Sequence, residues 1–209
     1  MTTYSAVPAM PINGPVPIES RALGTLSYIR ASIDAASSLA VPGAAGIVMG
    51  TLGLIATVFA SLNGLRAHWL EIWLCAAIVA SLLGGALVVR QAAQRGGTFF
   101  STPLRKFALC LCPALLGGAV LTFVLWSAGM ERLIPGMWLL LYGCAVISAS
   151  TVTNAVNLRL IGSMGAIFAV LGVIAFIAPP AAHTWLLGGG FGLLHLVFGV
   201  IIGRMNHGD

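Results

Sequence analysis

Trp69 to Val89 reads WLEIWLCAAIVASLLGGALVV and is followed at once by Arg90. Glu71 is the one charged residue in this run, and a helix needs roughly 20 apolar residues to cross a hydrocarbon core about 30 Å thick. The run is longer than a buried strand and too evenly apolar for a helix that turns one face to water. It reads as a transmembrane helix, with Trp69 and Trp73 at one headgroup layer and Arg90 anchored at the other.

Five further runs reach the same length: Gly43 to Leu62, Phe107 to Ser127, Ile134 to Thr153, Leu160 to Ala178 and Thr184 to Gly203. Of the 209 residues, 59% are hydrophobic and 7% are charged, whereas a soluble domain carries about a quarter charged residues. The mean hydropathy of +1.02 agrees. The predicted fold is an all-α polytopic membrane bundle over residues 43–203, six transmembrane helices forming three helical hairpins, with the lipid bilayer as its main partner.

Orientation follows from the basic residues. With the N-terminus inside, Arg21, Arg30, Arg90, Arg95, Arg105, Lys106, Arg159 and Arg204 are cytoplasmic, and Arg66 and Arg132 lie outside. Trp69, Trp73, Trp126, Trp138 and Trp185 then fall toward outer helix ends, where amphipathic rings favour the headgroups. A bacterial inner (plasma) membrane with both termini cytoplasmic is expected. The net charge of +5 does not point to nucleic acid, because the basic residues are scattered at the ends of apolar runs.

Residues 1–19 hold Pro8, Pro11, Pro15 and Pro17 with little apolar periodicity, which predicts a disordered tail and lacks the pattern of a secretory signal. Residues 20–39 place Leu23, Leu26, Ile29 and Ile33 at helical spacing among Arg21, Arg30 and Asp34. They read as a short amphipathic helix on the cytoplasmic membrane face.

An internal repeat is visible at an offset of 119, which pairs Gly43, Gly46, Leu52 and Gly53 with Gly162, Gly165, Leu171 and Gly172. Gly85 and Arg90 match Gly199 and Arg204 at an offset of 114. Small residues four apart, Gly46 and Gly50, Gly188 and Gly192, Gly199 and Gly203, let helix backbones approach closely. Such faces point to tight packing and to self-association as a homo-oligomer.

Ionisable groups within a bilayer are costly and mark candidate functional positions. Glu71 lies about one turn into its span, in reach of headgroups, water or Arg66. His195 is near the middle of the sixth span, in FGLLHLVF, and a neutral imidazole there needs a partner such as Ser148, Thr151 or a backbone carbonyl. Gly188, Gly189, Gly190 and Gly192 form the best candidate for an unwound binding segment, and Pro113 invites a kink in the third span. Ser148, Ser150, Thr151 and Thr153 make a polar stripe at the end of the fourth. The cysteines, Cys75, Cys110, Cys112 and Cys144, lie in apolar runs without metal-ligand spacing, and no phosphate-loop, zinc-protease or haem-ligand pattern is present. No catalytic residue, metal or cofactor is expected. The leading reading is a non-enzymatic protein with a structural or envelope-stress role, and the alternative is a small solute, ion or proton transporter or channel. An intramembrane enzyme or redox protein would need a second ligand or catalytic group close to His195, Cys75 or Cys144.

The stretch YIR at 28–30 through VPG at 41–43, with PGMWLLLYG at 135–143 and GFGLLH at 190–195, resembles a set of six-helix membrane proteins of environmental bacteria, notably acidobacteria. The likeness extends over nearly all of the chain beyond residue 22. It implies the six-helix fold and no activity. The repeated Gly-rich hairpin, as over Gly165 to Pro179, is also similar to HdeD-type acid-resistance membrane proteins, which implies an envelope-stress role.

Overall fold

The computed structural model describes residues 24–26, 39–94 and 102–206. The chain divides into a short unit, Met1–Ala36, and the main body, Ser37–Asp209. In the short unit Gly24, Thr25 and Leu26 form an exposed helical turn. The expected tail and the remainder of the expected amphipathic helix lie outside the described residues, except for Leu39. That residue is extended: its N–H donates to the Val152 carbonyl at 3.0 Å, and it forms an isolated parallel bridge with Thr153.

Among the described residues the body is built of helices joined by short connections, with α1 (Gly43–Ser61), α2 (Trp69–Gln94), α3 (Thr102–Ser127), α4 (Ile134–Ser150) and α5 (Ala155–Ile177) as the first five spans. The sixth is α6 (Pro180–Leu187), a π-helical segment (Gly188–Leu194) and α7 (His195–Asn206) in succession. All six are long and apolar enough to cross a membrane, and the protein is a multi-pass integral membrane protein.

Local chemistry sets the ends. Asn154 caps α5, its Oδ1 accepting from the Asn157 N–H at 2.8 Å. Pro135 and Pro180 occupy first turns, where a missing N–H costs nothing. The fourth helix ends at Ser150, short of the expected Thr153. There the hydroxyls of Ser150, Thr151 and Thr153 donate to carbonyls three residues back, at Ile147, Ser148 and Ser150. The expected polar stripe thus bonds largely to its own backbone.

Lipid tails are as apolar as leucine, so packing, not hydrophobic exclusion, holds such a bundle together. A methyl group at Gly50 would stand 2.5 Å from the Leu196 nitrogen, and one at Gly53 2.5 Å from the Phe191 oxygen. Backbone contact of this kind joins α1 to the sixth span. Gly143 brings α4 against α5 likewise, where an added methyl would stand 2.6 Å from the Ala169 nitrogen. The glycine pairs read as packing faces are occupied within the chain, Gly46 against Gly199, Gly188 against Thr57 and Gly192 against Leu54. Neighbours in sequence pack together in the first two hairpins, whereas α5 lies chiefly on α4 and the sixth span chiefly on α1.

The fourth span is the deepest, 56% buried, against 17% for the second and 11% for the third. Leu139, Phe168, Ala175 and Leu187 are fully enclosed at the centre. At the edge, α2 and α3 meet at their basic ends, where Val88 and Ala92 pack with Leu104 and Phe107. Beyond that contact they part.

Candidate functional site

The π segment delivers Phe191 and His195 to the bundle centre, with its glycines turned to the walls. Gly190 lies against Leu139 and Phe168, while space is open beside Gly189. The Gly-rich stretch is therefore a continuous, widened helix and not an unwound strand of backbone. Such π segments recur at functional sites.

His195 is buried, 3% exposed. Its Nε2 lies 2.7 Å from the hydroxyl of Tyr142 on α4, in place of the partners expected from Ser148 or Thr151. The Gly190 and Phe191 carbonyls flank the ring, although Nδ1 makes no well-aligned hydrogen bond. Lone pairs facing those carbonyl oxygens would repel them, which favours the tautomer protonated at Nδ1. Tyr142 then donates to Nε2 and keeps its own oxygen free to accept. Phe168 and Phe191 complete a cluster of four rings around the contact: Tyr142 stands 4.8 Å from Phe168 and 5.1 Å from Phe191, centroid to centroid, and His195 5.3 Å from both Tyr142 and Phe168.

Two half-open clefts meet here. One, of about 570 Å³, runs between α2 and α3 toward their basic ends, past Gly85, Val88, Arg105 and Leu111. The other, of about 420 Å³, runs the opposite way past Trp73, Ala77, Gly118 and Trp138. Met49, Ser81, Leu115, Tyr142 and His195 belong to both. Their walls are mainly apolar. In the second cleft Trp138 Nε1 donates to Thr122 Oγ1 at 2.7 Å, and the Thr122 hydroxyl in turn donates a hydrogen bond to the Gly118 carbonyl at 2.6 Å. Trp73 is buried against Phe191, and its Nε1 has no partner among the described residues.

Glu71 stands apart from this centre. It is exposed, lines neither cleft, and faces His68 Nδ1 at 3.7 Å, not Arg66. Arg66 Nε donates instead to the Ser61 carbonyl at 3.4 Å. Pro113 lies in an uninterrupted α3 and on its exposed side, away from both clefts. Cys75 and Cys144 are exposed and line neither cleft. A second buried histidine, His183, directs Nε2 to the Ala175 carbonyl at 3.1 Å and so ties α6 to the last turns of α5.

Tyr142 and Phe168 escaped the sequence reading. The signal for Tyr142 was present: it is a phenol at mid-span, where a buried hydroxyl needs a partner as much as an imidazole does. Phe168 carries no such signal.

No family model, curated protein or solved structure matches the chain.

Proposed function

We propose that the protein is a non-enzymatic carrier that takes a lipophilic solute sideways from the bilayer and holds it at His195 and Tyr142. The observation that carries this reading is the junction of two apolar clefts at one hydrogen-bonded polar pair. Binding sites combine apolar walls with a few convergent polar groups, and the gap between α2 and α3 opens toward lipid. Ion or proton passage is less well supported, because a charge would cross two apolar clefts with little to replace its hydration. A purely structural or envelope-stress role, the latter implied by the HdeD-type resemblance alone, gives no reason for α2 and α3 to part. The membrane proposed is the bacterial inner membrane, with the basic helix ends cytoplasmic. Self-association would need surfaces other than the glycine pairs already occupied, such as the open side of Gly117.

The test is native mass spectrometry of the purified protein titrated with Nile red, an uncharged lipophilic dye. A saturable one-to-one adduct is expected. Ser81→Phe, which sets a ring in the shared junction, abolishes it, and Glu71→Gln leaves it intact. Absence of a stoichiometric adduct, or an adduct indifferent to Ser81→Phe, sinks the carrier reading.

A further inference from the structure

The cleft toward the basic ends differs from its counterpart in one charge. Among the described residues Arg105 is the one ionised side chain in its lining, is exposed at the mouth, and has no ion pair. Gln91, outside the lining, donates its Nε2 hydrogen to the Ala40 carbonyl at 3.1 Å. Inward from Arg105 the wall on α3 is Ala108, Leu111, Cys112 and Leu115, all without charge. Across from it Gly85 leaves space, since a methyl there would meet nothing within 4 Å. From Arg105 to Leu115 is ten residues, about 15 Å of helix. An extended chain advances roughly 1.2 Å per bond, so that length suits about a dozen carbons.

We propose that this cleft binds a single-chain anionic amphiphile, with its carboxylate or phosphate against the Arg105 guanidinium and its chain laid between α2 and α3 toward Tyr142. The assignment rests on the carrier reading and names the class of its cargo. Charge decides the headgroup: an unpaired guanidinium at a membrane interface attracts an anion and forms forked hydrogen bonds with carboxylate or phosphate oxygens. The cleft itself decides the tail, because apolar walls strip no hydration from methylenes and gain contact with each one.

The test is native mass spectrometry of the full chain in neutral detergent, titrated separately with dodecanoate, dodecyl phosphate and dodecanol. The anions are expected to form one-to-one adducts at concentrations at least tenfold lower than dodecanol, and the tighter of the two identifies the headgroup. Arg105→Gln removes that preference, whereas Lys106→Gln, an exposed neighbour outside the cleft, keeps it. Gly85→Leu grows a side chain into the cleft and weakens all three. Equal binding of dodecanoate and dodecanol, or a preference that survives Arg105→Gln, overturns the proposal. So does a two-chain anionic phospholipid that competes on equal terms. A Nile red adduct without any preference for anions leaves the carrier standing and removes this cargo; failure of every ligand removes both.

Discussion

At the scale of single residues, the molecule turns on two polar groups that satisfy each other where water is scarce. Breaking one partner costs more than the bond is worth, because the other is left unpaired. Tyr142→Phe is therefore expected to destabilise the protein by about 1 kcal/mol in detergent unfolding titrations. His195→Leu should cost a similar amount. The double variant should recover part of the sum, giving a coupling near the roughly 0.6 kcal/mol typical of hydrogen bonds between membrane helices. Strict additivity would mean that the 2.7 Å contact contributes nothing. Asn157 is the opposite case, enclosed on α5 with neither side-chain amide atom bonded among the described residues. Asn157→Leu should raise stability by about 1 kcal/mol, since an unpaired buried amide is exchanged for an apolar side chain of similar size. The sequence marked His195 because imidazole is rare in an apolar run. It could not supply the partner, because Tyr142 lies 53 positions away and only the packing of α4 against the sixth span joins them. Glu71 stood out for the same reason as His195, yet its place at the start of α2 leaves it in reach of His68 at the surface.

Among the helices, glycines decide which surfaces touch, and their value depends on the neighbour. Gly50 and Gly85 look alike in sequence, each within an apolar span. One stands against the backbone of the sixth span and the other borders the open cleft. Gly50→Ala must push α1 away from Leu196, with an expected loss of about 1–3 kcal/mol, the usual cost of overpacking. Gly85→Ala should be neutral or gain up to about 1 kcal/mol from helix propensity. Thermal unfolding of the two variants side by side checks both signs. Spacing alone revealed that close approach occurs, but not where, because Gly46 and Gly165 are matched in the repeat and meet different partners, Gly199 and Gly143. The π segment was equally hidden: a run of glycines fits unwound backbone as well as a widened helix. Deleting Gly189 removes the residue that such a widening accommodates and shifts Phe191 and His195 in register. That deletion should abolish Nile red binding. Gly189→Ala, with open space beside it, should preserve it.

For the molecule as a whole, apolar length made the six spans legible, since every backbone group in lipid must be bonded within a helix. The gap between α2 and α3 was not legible, because both helices read as ordinary spans and only their shallow burial reveals that they part. That gap separates a carrier for lipophiles from a proton channel. A channel needs a continuous line of water or titratable groups, whereas here two mainly apolar clefts lead to a single tyrosine–histidine pair. Proteoliposomes loaded with a pH-sensitive dye and given a pH jump should therefore relax no faster than empty liposomes. His195→Ala should not differ from the parent protein. Protein-dependent relaxation that vanishes in His195→Ala would mean that water reaches mid-membrane despite the apolar walls, and the histidine would then belong to a proton path. Relaxation matching the empty liposomes, together with a stoichiometric lipophile adduct, would fix the pair as a binding anchor in a protein that admits its ligand through its side, not its ends.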